Sequence, residues 1–408
     1  MNKRKIINDP VYGFITIPTD LIFDLIGHAW FQRLSRIKQL GLTYLVYPGA
    51  LHSRLQHALG AMHLMQQALE VLKSKRVEIS PEEAEAVTIC ILLHDLGHGP
   101  FSHTLEKLLI SNVTHEQLTL LMMEHLDTEF HGALDLSLRI FKGLHPKKFL
   151  HQLVSSQLDM DRLDYLNRDS FFTGVAEGVI GYDRIIKMLA VYENELVVEE
   201  KGMYSIEKFL ISRRLMYWQV YLHKTVLAAE EMLVQIIKRA RKISRERLLL
   251  CSPALFWFLS HEVHLNDFSW NTEILNRFAD LDDSDIISAI KQWRSDDDQV
   301  LSYLSEHLLA RKLFKVELQN EPFDEEKISA LRSSLKKFTA LPAADYDSLV
   351  IADTTSNHAY NPTTETINIL FKNGRVKDVG EASDLLNISA LKKPVTKYYV
   401  CYPRELAQ

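Results

Sequence analysis

The residues best suited to metal binding or catalysis lie in one short stretch, HDLGHGPFSH, at residues 94–103. His94, Asp95, His98 and His103 bring three imidazole rings and one carboxylate within ten positions. Imidazole nitrogens and carboxylate oxygens are the ligands that many divalent metal ions prefer in proteins. The stretch is therefore a candidate metal site.

Two further segments provide matching residue types. They are RLQH at residues 54–57 and DMDRLD at residues 159–164. Together the three segments offer two imidazoles and two carboxylates as metal ligands: His57, His94, Asp95 and Asp161. A divalent metal ion does not fully neutralise the carboxylate ligands and a bound phosphate, so further positive charge is expected nearby. Arginine binds phosphate oxygens through a planar fork of N–H groups. Arg54 and Arg162 fit that need.

Each of these groups has an ordinary interpretation when it is taken alone. His57 fits a histidine on an amphipathic helix, His94-Asp95 fits a helix-end capping pair, and the acids of residues 159–164 fit a solvated turn. The other histidines of residues 94–103 fit loop positions. The combination favours a site, because buried acids and histidines at the end of an apolar helix need polar partners.

Helical elements must position these side chains. Apolar residues recur at intervals of three and four over most of residues 20–320. Ser80-Pro81 predicts a helix start, and Glu83 completes a capping box. This helix is apolar nearly all round, which predicts burial. It ends near Gly97, so it delivers the histidine–aspartate pair to the edge of a buried core.

The length of 408 residues predicts roughly two to three domains. From about residue 340 the helical pattern gives way to short strands at 348–353, 366–372 and 396–402, with a helix at 381–391. The predicted fold class is mainly α, with a small α+β C-terminal domain. The predicted division is a catalytic helical domain at 1–250, a helical extension at 251–340 and a tail domain at 341–408.

Composition excludes several classes of protein. Hydrophobic residues make up 47% and charged residues 25%, which is ordinary for a globular protein and argues against disorder or a fibre. The net charge of −6 argues against a protein that coats nucleic acid. Three distant cysteines exclude a disulfide scaffold and indicate a reducing compartment: Cys90, Cys251 and Cys401.

The sequence carries weaker indications of where the protein is located and what its surface binds. The first residues carry no secretory signal, and no window has the ~20 apolar residues that span a bilayer. We therefore expect a cytoplasmic protein without a membrane partner. The basic helix end at residues 238–247 fits a solvated helix terminus. Its alternative is a nucleotide or nucleic-acid contact at a subunit interface.

At these residues the chain resembles the HD-domain phosphohydrolase superfamily, whose hallmark is H…HD…D. The likeness is closer to one branch, the dNTP triphosphohydrolases, and covers about residues 5–240. The segments that carry it are NDPVYG (8–13), FQRLSRIKQLG (31–41), VYPGALHSRLQHALG (46–60), HDLGHGPFSH (94–103), THEQ (114–117), LDMDRLDYLNRDSFFTG (158–174) and YLHK (221–224). The resemblance implies a nearly all-helical HD-domain fold with one catalytic metal ion.

The resemblance also implies a role for each matching position. The implied metal ligands are His57, His94, Asp95 and Asp161. The implied triphosphate contacts are Arg54, Arg162 and Arg213, with His98 and His103 on the phosphate side. His115 matches the histidine implicated in acid–base catalysis, and Glu106 matches its acidic partner. The positions that match sugar and base contacts are Gln39, Leu40, Tyr165, Asp169 and Tyr221, with Gln39 and Asp169 reading the 3′-hydroxyl.

The sequence departs from the branch at a few positions. Residue 162 is arginine where a relative has lysine. The regulatory guanine pocket of the branch uses an acid and an arginine where this chain has Gly27 and Ser35, although Lys5 and Asn8 of the same neighbourhood remain. Guanine-nucleotide activation through a pocket of that type is therefore not expected.

The implied reaction is hydrolysis of a dNTP to a deoxynucleoside and inorganic triphosphate, by attack of a metal-activated water at the α-phosphorus. One alternative is hydrolysis of another phosphate ester, such as a nucleoside monophosphate or an alarmone. The other is a nucleotide-binding regulatory module with low turnover. The ligand types suit Mn²⁺, Fe²⁺, Ni²⁺, Co²⁺, Zn²⁺ or Mg²⁺. Relatives form dimers and tetramers, so the resemblance also implies a homo-oligomer.

Overall fold

A computed structural model describes residues 5–270, 272–336, 343–357, 359–362, 365–384 and 391–407. Helices dominate this part of the chain, which confirms the predicted mainly α fold class. None of the described helices is long and apolar enough to cross a bilayer.

The helices of the first 250 residues are α1 (Asp20–Gly27), α2 (Ala29–Arg33), α3 (Arg54–Ser74), α4 (Pro81–Leu93), α5 (Glu106–Leu109), α6 (His115–Glu129), α7 (Asp135–Phe141), α8 (Lys148–Val154), α9 (Met160–Thr173), α10 (Tyr182–Met188), α11 (Met203–Met216) and α12 (Lys224–Ser244). The later helices are α13 (Pro253–Ser260), α14 (Leu265–Trp270), α15 (Thr272–Ala279), α16 (Asp283–Trp293), α17 (Gln299–Leu309), α18 (Glu325–Leu335) and α19 (Val379–Ala382). A π-helical turn, Tyr217–Tyr221, separates α11 from α12.

The described strands form three small sheets. The strands are β1 (Ile6–Asp9), β2 (Gly13–Thr16), β3 (Leu189–Tyr192), β4 (Glu195–Glu199), β5 (Lys315–Gln319), β6 (Ile351–Asn357), β7 (Asn368–Leu370), β8 (Val376–Asp378) and β9 (Val395–Tyr402). β1 pairs with β2, a second sheet has the order β3-β4-β7-β8, and a third has the order β5-β9-β6.

Helix α3 packs between α4 and α9, at the centre of the helices of the first 250 residues. The Ser53 side chain caps α3 and Gln56 completes its capping box, while Ser80 and Glu83 do the same for α4. These reciprocal bonds satisfy backbone N–H groups at the helix starts and fix where each helix begins. The capping box predicted at the start of α4 is therefore confirmed.

Two glycines allow close approaches beside the site. A Cβ atom at Gly60 of α3 would lie 2.1 Å from side-chain atoms of both Asp164 and Arg168, so only glycine lets α9 pack this closely. A Cβ atom at Gly97 would lie 2.2 Å from the carbonyl oxygen of His115. The turn after α4 can therefore contact the start of α6 only because residue 97 has no side chain.

The C-terminal strands join earlier parts of the chain. β7 pairs in parallel with β4, and β9 pairs with both β5 and β6. Each predicted C-terminal strand overlaps an observed one. Of the helix predicted at 381–391, residues 385–390 lie outside the described residues, and so does the predicted domain boundary near residue 340. The three-domain division stays a prediction.

Candidate active site

Three side chains from three helix ends converge at a candidate metal centre. His57 lies in the first turn of α3, His94 caps the C-terminus of α4, and Asp161 lies in the first turn of α9. His57 Nε2 is 3.0 Å from Asp161 Oδ1 and 3.3 Å from His94 Nε2. His94 Nε2 is 3.5 Å from Asp161 Oδ1. Three potential donor atoms therefore surround one small volume.

Asp95, the fourth predicted ligand, adjoins this group. Its Oδ1 is 3.3 Å from His94 Nε2, and its Oδ2 is 3.8 Å from His57 Nε2. The same carboxylate accepts a hydrogen bond from Arg54 Nη1 at 2.5 Å and lies 3.2 Å from His98 Nε2. Asp95 therefore connects the candidate metal centre to a neighbouring arginine and histidine.

The electrostatics of these residues fit a bound cation. Burial lowers the pKa of His57, but Asp161 and Asp164 outweigh burial and raise that pKa to about 10. Burial also opposes the charged form of His94, yet Asp95 and Asp161 raise its pKa. A divalent cation would balance the same carboxylates while both rings stay neutral, the form in which imidazole binds a metal. The oxygen and nitrogen donors suit a first-row divalent ion.

A buried chain of charged residues fixes the far side of His57. Its Nδ1 lies 2.7 Å from Asp164 Oδ2, which also accepts a hydrogen bond from Arg168 Nε at 2.9 Å. Arg168 Nη1 donates to Asp9 Oδ2 at 2.7 Å. His94 Nδ1 lies 2.6 Å from a backbone carbonyl oxygen of α4. These acceptors favour a proton on each Nδ1, so each Nε2 offers its lone pair to the candidate metal centre.

Replacing Arg168 by methionine is expected to lower the free energy of unfolding by about 3–5 kcal/mol, because two buried carboxylates lose their cation. Arg168 is fully buried between Asp9 and Asp164. The exposed Arg184 provides the control, and Arg184→Met is expected to change stability by at most about 0.5 kcal/mol. Urea denaturation measures both values, and equal losses in the two variants would contradict this assignment.

A second group of side chains lies beyond Asp95. Arg54 Nε donates to Ser102 Oγ at 2.7 Å. The ring of His98 stacks on that of His115, with 3.9 Å between the centroids. His115 Nδ1 lies 2.8 Å from Glu106 Oε1, which also accepts the backbone N–H of His115 at 2.5 Å. Glu106 therefore orients the His115 ring and favours a proton on its Nδ1.

The outer face of His115 lies next to an exposed carboxylate. Its Nε2 lies 3.3 Å from Glu116 Oε1, and the Glu116 side chain is 62% exposed. An exposed carboxylate can turn away into water when a substrate arrives. The side chain of His103, predicted on the phosphate side, lies outside the described part of the chain.

Two predicted phosphate-binding arginines lie near the start of α9. Arg162 Nε donates to a backbone carbonyl at 2.6 Å and lies 3.2 Å from Asp159 Oδ2. Arg213 Nη1 donates to Gln157 Oε1 at 3.2 Å, and its Nε is buried without a hydrogen-bond partner among the described residues. The structure therefore brings both arginines towards the helix end that carries Asp161.

The predicted sugar-side residues form a connected polar group. The Tyr221 hydroxyl donates to Asp169 Oδ2 at 2.7 Å, and Asp169 Oδ1 lies 2.8 Å from His52 Nε2. The His52 ring stacks on Phe172, with 4.5 Å between the centroids. Both oxygens of Asp169 therefore have fixed partners, which hold this buried carboxylate in one orientation.

The remaining predicted sugar- and base-side residues lie on adjacent segments. Tyr165 precedes Asp169 by one turn of α9, and its ring centroid is 6.3 Å from that of Tyr221. The backbone N–H of Gln39 donates to the carbonyl oxygen of His52 at 3.0 Å. Gln39 Oε1 is buried and accepts no hydrogen bond within the described residues. Leu40, half-buried, follows it in the chain.

Sequence reasoning missed four residues that support the site. Arg168 stands four residues after Asp164, and this helical spacing of opposite charges was a usable signal. Asp9, His52 and Ser102 gave no comparable signal, because their partners are distant in the sequence. Only the folded chain shows that they contact Arg168, Asp169 and Arg54.

The basic helix end at residues 238–247 is engaged by acids and carbonyl groups. Arg239 pairs with Asp298 and Asp345, and Arg247 pairs with Asp296. Acidic side chains therefore pair with two of the basic residues that the sequence places there.

Comparison with known proteins extends these observations. Residues 54–167 match the HD domain family, and residues 180–249 match the HD associated region. An uncharacterised protein of Bacillus subtilis, YwfO, is 33% identical over 100% of this chain and 94% of its own length. The deoxynucleoside triphosphate triphosphohydrolase SAMHD1 homolog of Dictyostelium discoideum is 32% identical over 63% of this chain. The match covers 54% of that protein, so the chain spans about half the length of this relative.

A solved structure is similar along almost the whole chain. The crystal structure of a phosphohydrolase from Bacteroides thetaiotaomicron is 50% identical, with a TM-score of 0.94. The similarity covers 98% of this chain and 99% of that one. The HD domain match also includes His57, the His94-Asp95 pair and Asp161. The chain therefore belongs to the HD-domain phosphohydrolase family.

Proposed function

We propose that this phosphohydrolase converts deoxynucleoside triphosphates to a deoxynucleoside and inorganic triphosphate. The observation that carries the proposal is one face of α9, where Asp161, Tyr165 and Asp169 follow at intervals of four residues. Asp161 belongs to the candidate metal centre, whereas Asp169 is held by His52 and Tyr221. A nucleotide likewise has its phosphates next to its sugar, so the two groups of residues match the two parts of one substrate.

The similarity to a relative named as a deoxynucleoside triphosphate triphosphohydrolase supports the same class of substrate. The HD domain match at residues 54–167 includes the candidate metal centre together with Arg54 and Arg162. Three arginines are also more than a phosphate monoester needs, which favours a triphosphate as the substrate.

The proposed reaction adds water across the bond between the α-phosphorus and the 5′-oxygen. A divalent ion bound by His57, His94, Asp95 and Asp161 would supply Lewis-acid polarisation of a phosphoryl oxygen and lower the pKa of a water molecule. Three arginines, Arg54, Arg162 and Arg213, would bind the non-bridging phosphate oxygens and stabilise the charge that develops on them. Asp95 keeps Arg54 in place through its hydrogen bond.

The leaving 5′-oxygen needs a proton, and His115 is the proposed donor. Glu106 holds His115 Nδ1, so Nε2 is the nitrogen that would transfer the proton. The stacked ring of His98 limits the rotation of His115. The products are then a neutral nucleoside hydroxyl and inorganic triphosphate.

Replacing Tyr221 by phenylalanine is expected to lower kcat/KM for dNTPs by roughly tenfold or more. The change removes a hydrogen bond to the buried Asp169 carboxylate, and bonds to charged groups contribute about 1.5–3 kcal/mol. Tyr182→Phe, on α10, removes a hydroxyl outside the site and is expected to leave kcat/KM within about twofold. Steady-state kinetics on both variants measure the difference, and unchanged kinetics in Tyr221→Phe would contradict the role of this residue.

The experiment that tests the substrate class compares the four dNTPs with the four ribonucleoside triphosphates and with nucleoside monophosphates. Each is incubated with the purified full chain in Mn²⁺ and then in Mg²⁺. The proposal predicts turnover of dNTPs and slower turnover of ribonucleotides. Turnover of monophosphates alone would instead assign another phosphate ester to the site.

A further inference from the structure

A single buried carboxylate, from outside the two family-matched segments, connects the turn at Phe101 with the segment at Lys38. Asp283 is the first residue of α16 and is 2% exposed. Its Oδ1 accepts the backbone N–H of Phe101 at 2.8 Å, and its Oδ2 accepts the backbone N–H of Lys38 at 2.9 Å. The family-matched segments end at residues 167 and 249, so this residue belongs to the extension that follows them.

The first of these bonds holds an unfavourable backbone turn. Phe101 and Ser102 both have left-handed backbone conformations, with φ of 52° and 46°. Such conformations are costly for residues other than glycine and persist only where the surrounding structure holds them. Ser102 accepts the hydrogen bond from Arg54 Nε, so this turn sets the position of an arginine proposed to bind phosphate.

The second bond holds the segment next to Gln39. Lys38 pairs with Ser53 in an isolated antiparallel bridge. The flanking bonds run from Arg54 N to the carbonyl oxygen of Ile37 and from Gln39 N to the carbonyl oxygen of His52. The N–H of Lys38 points away from this pairing and is accepted by Asp283. One carboxylate therefore fixes this segment relative to the Phe101–Ser102 turn.

Neighbours of Asp283 strengthen the same connection. Arg33 is fully buried, and its Nε donates to the carbonyl oxygen of Leu281 at 2.9 Å. The other guanidinium nitrogens of Arg33 donate to the carbonyl oxygens of Leu96 and His98, at 3.3 and 2.7 Å. Arg33 therefore bridges the segment just before α16 and the turn after α4.

We propose that Asp283 is a positioning residue of the active site, which aligns the Phe101–Ser102 turn with the segment that carries Gln39. It touches neither the substrate nor the candidate metal centre, and acts through Ser102 and Arg54. Its effect on catalysis rests on the proposed function, whereas the two backbone hydrogen bonds do not.

The test compares Asp283→Asn with Asp285→Asn in the full chain. Both changes remove one negative charge from the first turn of α16, but Asp285 bonds to the N–H of Asp282 and to neither active-site segment. Asparagine keeps one acceptor oxygen and turns an N–H₂ group towards the other backbone donor. We expect kcat for dNTPs to fall by roughly ten- to a hundredfold in Asp283→Asn, with unchanged metal content, and to stay within about twofold in Asp285→Asn.

Hydrogen–deuterium exchange gives a readout independent of turnover. The amides of Lys38 and Phe101 are expected to exchange slowly in the wild-type protein and faster in Asp283→Asn, with no change in Asp285→Asn. Fast exchange of both amides in the wild type, or equal kcat in the two variants, would overturn the proposal. If the wild type hydrolyses no dNTP, the proposed function fails, and exchange still decides whether Asp283 holds the two segments. If Asp283→Asn does not fold, exchange in the wild type decides the question.

Discussion

Replacing His115 by alanine is expected to reduce kcat for dNTPs by roughly 10²–10⁴-fold, the usual contribution of general acid catalysis. Metal content and dNTP affinity are expected to stay close to the wild-type values. His115 lies against Glu106 and His98 and is outside the group formed by His57, His94 and Asp161. Its loss therefore removes the proposed proton donor without removing a metal ligand.

His125→Ala is the matched control for this variant. His125 lies on the same helix, α6, and packs against Trp30 at 5.0 Å between ring centroids, away from the candidate active site. Single-turnover kinetics with metal analysis separate the loss of a chemical step from the loss of a ligand. Full activity in His115→Ala would show that another group protonates the leaving oxygen.

Replacing Asp161 by asparagine is expected to remove bound metal and turnover together, with a loss of roughly 10³-fold or more in kcat. A neutral amide is a much weaker ligand than a carboxylate, and the Lewis-acid contribution of a metal ion amounts to several kcal/mol. Asp161 Oδ1 lies within 3.5 Å of both His57 Nε2 and His94 Nε2. Metal analysis of the purified protein, followed by kinetics at saturating Mn²⁺, measures both effects.

Asp183→Asn provides the control for this second variant. Asp183 occupies the first turn of α10, as Asp161 occupies the first turn of α9, but it is exposed and outside the metal centre. Its replacement is expected to leave metal content and kcat unchanged. Retention of stoichiometric metal in Asp161→Asn would exclude this carboxylate as an essential ligand.

The parts of the site that the sequence predicts are those that depend on local patterns of apolar and helix-capping residues. The apolar helix with its Ser80-Pro81 start predicts where His94 and Asp95 lie, and the structure places them at the end of α4. The prediction that His57, His94 and Asp161 converge depends largely on the family resemblance. These residues lie on separate helices, and the structure brings them together.

Long-range partners were beyond sequence reasoning. Asp9 contacts Arg168 across 159 positions, and Asp283 contacts Phe101 across 182 positions. The parallel pairing of β4 with β7 likewise joins residues 197–199 to residues 368–370, and neither strand carries a signal for the other. Such contacts depend on how the helices pack, which no periodicity of residues encodes.

The measurement that tests the central claim most directly is the identity of the products from a dNTP in water labelled with ¹⁸O. The purified chain is incubated with each dNTP in Mn²⁺, and the products are separated by anion exchange and analysed by mass spectrometry. Attack at the α-phosphorus predicts unlabelled deoxynucleoside and intact triphosphate that carries one ¹⁸O atom. Orthophosphate or pyrophosphate, with a deoxynucleotide as the other product and the ¹⁸O atom on either product, would contradict the proposed function.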